Sequence, residues 1–118
     1  MMTKLTQQTC VPCTGNVPRL TEAERAAFQP QIPDWQVITA KAGERLQRVY
    51  RFQDFKTALA FTQQVGEIAE AAGHHPAILT EWGRVTVTWW THTINGLHHN
   101  DLIMAAKTDE IAATAVSG

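Results

Sequence analysis

The chain has 118 residues, ten Lys plus Arg against eleven Asp plus Glu, a formal charge of −1 and 44% AVILMFWYC content. That length predicts one domain with its own hydrophobic core. The charge balance excludes a nucleic-acid binder that relies on a broad basic surface, and no stretch approaches the roughly 18 consecutive apolar residues of a membrane span.

MMTKLTQQTC carries no apolar signal segment, so the expected location is the cytoplasm. Residues 1–19 show little periodicity and read as a flexible leader, with a single domain over residues 20–118. Within the leader, Cys10 and Cys13 form a Cys-Val-Pro-Cys pair. No second cysteine pair completes a zinc site, and the surrounding Gln-, Thr- and Pro-rich sequence is unlike a redox helix start. Reduced thiols are the expected state.

Order is expected from Leu20. Thr21 with Glu24 three residues on is a capping-box pattern, and Pro30 and Pro33 keep the helix that follows short. Trp35 to Thr39 reads as a strand with Trp35, Val37 and Thr39 on one side. A turn at Lys41 to Glu44 leads to a second strand from Leu46 to Phe52, where Leu46, Tyr50 and Phe52 share a face that Arg48 interrupts. Asp54 caps the next helix, whose Ala58, Phe61, Val65, Ile68 and Ala72 recur in steps of three and four. Gly73 stops it.

Ala77 to Thr80 is a third strand, Glu81 to Gly83 a turn, and Arg84 to Thr93 a fourth strand. In that strand Val85, Val87 and Trp89 alternate with Thr88, Trp90 and His92. Asn100 reads as the cap of a last helix from Asp101 to about Ala115. The order α-β-β-α-β-β-α predicts an α+β fold: a four-stranded, mostly antiparallel sheet with helices packed on one face.

All five histidines lie between positions 74 and 99: His74, His75, His92, His98 and His99. Imidazole exchanges protons near neutral pH, with an ordinary pKa of about 6.5. A metal site from His74, His92 and Glu70 lacks the usual helical ligand spacing, and no metal is expected. His98 and His99 read as solvated residues of a strand-to-helix connection. Glu70 sits near a helix C-terminus, where the macrodipole favours cations, beside Gly73-His74-His75-Pro76. Pro76 biases the preceding residue toward extended backbone, so helix end and strand start hold two imidazoles in a defined orientation. Trp90 beside His92 offers a flat surface for a heteroaromatic ring, whereas Trp82 and Trp89 read as core or interface anchors. Asp101, in the first turn of a helix, is favoured there by the dipole whatever else it does.

The run Glu70-x3-His74-His75-Pro76-x5-Trp82-x9-His92-x8-Asp101 resembles the signature of the pterin-4a-carbinolamine dehydratases, and Arg51-Phe52-Gln53-Asp54-Phe55 resembles that family's strand-to-helix junction. The resemblance covers about Leu20 to Ala115. It implies the fold just described and dehydration of 4a-hydroxytetrahydropterin to quinonoid dihydropterin, recycling the pterin cofactor of aromatic amino acid hydroxylases. It also implies no cofactor and a homodimer or homotetramer. By position it implies His74, His75 and His92 as catalytic residues and Glu70, Trp90, Thr91 and Asp101 as substrate contacts. Some relatives carry a Ser-Thr pair where this chain has Trp90 and Thr91. General acid–base catalysis would fall to His74 and His92, with His75 holding the pterin. Two other roles fit the same fold: a non-catalytic dimerisation or assembly module, and a dehydratase-like protein acting on a molybdopterin-related pterin.

Overall fold

Alternation along two strands decides which way the sheet faces. In the computed structural model, which describes residues 4–11, 18–40 and 43–116, Leu46 pairs with Trp89, Arg48 with Val87 and Tyr50 with Val85 across adjacent antiparallel strands. Leu46, Tyr50, Val85, Val87 and Trp89 are all buried. Strands β1 (Gln36–Ala40), β2 (Gly43–Arg51), β3 (Ala77–Glu81) and β4 (Arg84–Trp89) form one antiparallel sheet in the order β1-β2-β4-β3. The expected α-β-β-α-β-β-α order is the observed one.

Helix α1 (Glu22–Phe28) starts on the expected capping box. The Thr21 side chain accepts from the Glu24 amide, and Glu24 accepts from the Thr21 amide, each at 3.1 Å. A 3-10 turn at Gln29–Gln31 containing Pro30 ends the element. Helix α2 (Phe55–Ala72) is capped by Asp54, which accepts from the Thr57 amide at 2.8 Å. Its buried stripe is Ala58, Phe61, Val65 and Ala69. Ile68 is half-buried and Ala72 exposed, so the end of the stripe shifts by one residue, from the expected Ile68 to Ala69. Removing Phe61 from this stripe would cost about 3–5 kcal/mol. Helices α2 and α3 (His99–Val116) pack on the apolar sheet face. The opposite face presents exposed Val49 and Leu79.

Arg48, which breaks the apolar pattern of β2, is accommodated by a polar node. Asp109 Oδ1 accepts from Arg48 at 2.6 Å and from Trp35 Nε1 at 3.0 Å, and also from the Tyr50 hydroxyl. Burial and the neighbouring Asp109 charge push the Tyr50 phenol far above its ordinary range.

Four expectations change. Strand β4 stops at Trp89, not Thr93, because Thr91 bridges Gly96 and folds His92–Ile94 into a 3-10 turn. Helix α3 begins at His99, with His98 at the cap position and Asn100 inside the first turn. His98 is buried and His99 half-buried, so neither lies on a solvated connection. Residues 4–11 are docked on the domain, with Leu5 fully buried in its core. Cys10 is half-buried there, whereas Cys13 lies outside the described residues.

Candidate active site

The end of α2 sets the first two imidazoles. Gly73 adopts φ 65°, a left-handed conformation that glycine enters without steric cost. Its amide bonds the Glu70 carbonyl at 3.2 Å, and the His74 amide bonds the Ala69 carbonyl at 3.1 Å. This is a Schellman closure, and it reverses the chain sharply enough that His75 returns beside Glu70. His75 Nε2 and Glu70 Oε1 are 2.7 Å apart on the surface.

His74 turns inward. Its Nε2 lies 2.7 Å from Asp101 Oδ1, and its ring stacks on Trp89 at 5.7 Å between centroids and 2° between planes. Trp89 is itself fixed by a bond from Nε1 to Thr108 Oγ1 at 3.1 Å. Asp101 is completely buried and uses its second oxygen twice: Oδ2 accepts from Thr91 Oγ1 and from the His98 amide, both at 2.9 Å. His98 Nδ1 in turn accepts from the Asn100 amide at 3.1 Å. The cap of α3 thus resembles a capping box in its reciprocal bonds, but the His98 imidazole takes the amide of the second helical residue, Asn100, instead of the third. Burial pushes the His98 imidazole below its ordinary range against the pull of Asp101.

His92 comes from the loop beyond β4. The bridge joins Thr91 N to Gly96 O at 2.8 Å, and Asn95 closes the turn at φ 45°. Gly43 packs so closely beneath it that an added Cβ would lie 1.7 Å from the Asn95 carbonyl oxygen. His92 Nε2 donates to the His75 carbonyl at 3.1 Å, and its ring stacks on Trp90 at 4.5 Å and 11°. The Arg45 guanidinium lies 4.0 Å from the Trp90 ring centre.

Carboxylates and carbonyls only accept, so each of these three imidazoles donates from Nε2. Each therefore keeps an unprotonated Nδ1 in its neutral form. His74, His75 and His92 line one hollow of about 160 Å³ together with Gly73, Thr91 and Thr93. The structure thus brings together the three predicted histidines, with Glu70 bonded to one of them and Asp101 and Thr91 supporting another. Trp90 adjoins the group through His92. Trp82 is exposed on the turn between β3 and β4. Among the described residues no group of three or more His, Cys, Asp or Glu side chains is arranged to hold a metal ion. Trp89, Thr108 and Arg45 escaped the sequence reading as parts of this assembly. The inward alternation of Val85, Val87 and Trp89 pointed to burial of Trp89, but no spacing announces an indole lying parallel to an imidazole.

Comparison with known proteins gives consistent relatives. The family model described as pterin 4 alpha carbinolamine dehydratase matches residues 18–111. A protein of Syntrophotalea carbinolica named "Putative pterin-4-alpha-carbinolamine dehydratase" is 57% identical over 110 residues, covering 93% of this chain and 98% of its own. A protein of Gloeobacter violaceus with the same name, numbered 1, is 57% identical over 109 residues, covering 92% and 94%. Among solved structures, a transcriptional coactivator/pterin dehydratase from Brucella melitensis superposes with TM-score 0.71 at 37% identity, over 80% of this chain and 99% of that one. A pterin dehydratase-like protein described as a RuBisCO assembly factor in the alpha-carboxysome shares the fold, with TM-score 0.57 at 21% identity over 67% and 89%.

Proposed function

This chain belongs to the pterin 4 alpha carbinolamine dehydratase family, and on that footing we propose that it is a hydro-lyase. Its substrate is 4a-hydroxytetrahydropterin and its product quinonoid dihydropterin, a step that returns the pterin of aromatic amino acid hydroxylases to use in the cytoplasm. The observation that carries this reading is the shared hollow, with three imidazoles around it that each keep the same ring nitrogen uncommitted.

The chemistry needs two proton transfers and no change of oxidation state. The C4a–O bond breaks as the hydroxyl takes a proton and leaves as water. The N5 proton passes to a base, and the electron pair of that N–H bond becomes the second bond of C4a=N5. Hydroxide is a poor leaving group, so assistance at both ends is worth about 10²–10⁴-fold in rate.

His74 and His92 are the acid–base pair. Asp101 anchors Nε2–H of His74 and the His75 carbonyl anchors Nε2–H of His92, so each presents Nδ1 to the reaction. Either serves as acid or base according to the C4a epimer bound. Asp101 and Thr91 act through His74, and Trp90 orients His92 by stacking. His75 and Glu70, at the exposed rim, hold the ring. The hollow is smaller than the roughly 300–1,000 Å³ of pockets that engulf a ligand, so it takes the reacting edge of the bicycle and leaves the rest outside. The open edge strands β1 and β3 and the exposed Val49 and Leu79 support a homodimer or homotetramer.

A coupled assay on chemically generated 4a-carbinolamine tests the reading. Wild type is expected to accelerate dehydration, and His74→Ala and His92→Ala to lower kcat by 10²–10⁴-fold with smaller changes in KM and unequal losses for the two epimers. Pterin binding without turnover would favour action on a different pterin, and neither binding nor turnover would favour an assembly role.

A further inference from the structure

The first turn of α3 carries two adjacent buried side chains with separate duties. Asp101 serves His74, Thr91 and the His98 amide. Asn100, only 1% exposed, serves the N-terminal segment instead. Its Oδ1 accepts from the Val11 amide at 3.0 Å and its Nδ2 donates to the Val11 carbonyl at 2.8 Å. Both bonds span 89 positions of sequence. Along the same segment Gln8 Oε1 meets His99 Nε2, and Leu5 is buried while its amide donates to Gln31 Oε1 at 2.8 Å. Phe28 closes on the other side of His99, edge-on at 5.0 Å. Residues 5–11 therefore run as a strap over the start of α3. They precede the family-matched region, which begins at residue 18, and contribute none of the residues lining the hollow.

We propose that Asn100 is a positioning residue, through which this strap holds the first turn of α3 where Asp101 can fix the His74 ring. The inference rests on the reading of His74 as an acid–base group. First turns fray because their leading amides lack intrahelical partners. Here the cap is an imidazole, and Asp101 must supply the reciprocal cap bond as well as the bond to His74. A turn that loosened would carry Asp101 away from His74, and displacements of about 1 Å can cost about 10²-fold in rate. The pair of hydrogen bonds between the Asn100 side chain and the Val11 backbone removes that freedom without entering the hollow.

Asn100→Ala removes both bonds, and Val11→Pro removes only the backbone donor. Val11→Ala keeps both bonds and changes a side chain that is 54% exposed. Each is assayed on 4a-carbinolamine, and the tautomer of His74 is read from its side-chain 15N shifts. The expected result is a ten- to hundredfold fall in kcat for Asn100→Ala, a smaller fall for Val11→Pro, KM within about twofold in both, and wild-type behaviour for Val11→Ala. In the two impaired variants the single Nε2–H signature of His74 should give way to a mixture. Folded Asn100→Ala or Val11→Pro protein with unchanged kcat and an unchanged His74 signature would overturn the proposal, as would a rise in KM alone. Should Asn100→Ala fail to fold, Val11→Pro decides. A wild type without turnover whose variants still shift the His74 signature would keep the positioning role while removing the dehydratase reading.

Discussion

Two carboxylate–imidazole pairs stand within one site at the same separation of 2.7 Å, in opposite surroundings. Asp101 and His74 expose 0% and 6% of their side chains, whereas Glu70 and His75 expose 81% and 59%. Water screens the outer pair, and ordering two mobile side chains offsets much of its attraction. The inner pair has lost its water, and Asp101 is tied by two further donors, so it has nowhere else to go. Equal distances therefore describe unequal bonds. The inner pair behaves as a fixture of the core, and the outer pair is free to exchange its partner for a ligand.

Asp101→Ala should have the largest effect, because it strands His74, Thr91 and the His98 amide at once. Each buried donor left without its acceptor costs about 1–3 kcal/mol, measurable together as a lowered urea midpoint. If Asp101→Ala proved no more damaging than Glu70→Ala, burial would not be what separates the two pairs.

Acid should next weaken the inner region. Burial holds the His98 imidazole low, assisted by His99 and His74 and opposed by Asp101 and Glu24. The unfolded chain thus binds a proton at His98 that the folded chain refuses. Stability from this group is complete above the ordinary histidine value of about 6.5 and is lost as pH falls through the folded value. Protonation of Nδ1 would also replace the acceptor for the Asn100 amide with a donor. Urea denaturation across pH 5 to 7 should show this slope, and His98→Asn, a good uncharged cap, should flatten it.

Glu70→Gln should change least. A stability effect within about 1 kcal/mol is expected, with KM for the carbinolamine rising more than kcat falls, as the substrate-holding role proposed for the outer pair requires. A loss of stability matching that of Asp101→Ala would place Glu70 in the framework with the inner pair.

Neither pair was read from residues alone, but the outer one follows from local sequence and the inner one does not. Glu70, Gly73 and His75 are close in sequence, so a left-handed glycine after a helix nearly dictates their meeting. The Thr21–Glu24 box and the stripe of α2 were legible for the same reason, being local and periodic. The inner pair joins positions 27 residues apart through burial imposed by α3, whose residues from Asn100 to Ala106 are all buried. A helix covered that widely shows no polar face to mark its register, and Asn100 then looks like a cap when it is a tether to Val11. The end of β4 was missed because Trp90 and His92 continue the alternation in sequence, while the Thr91–Gly96 bridge ends the strand in space.

That small closed loop has an evolutionary consequence. Because the rung at Thr91 and Gly96 ties its two ends together, the four positions between them form a short closed cassette, seated on the sheet where Gly43 leaves room for the Asn95 carbonyl. Natural drift or laboratory libraries at position 93, which lines the hollow between the fixed His92 and the left-handed Asn95, can rewrite what the hollow presents to its visitor while the scaffold underneath keeps its shape.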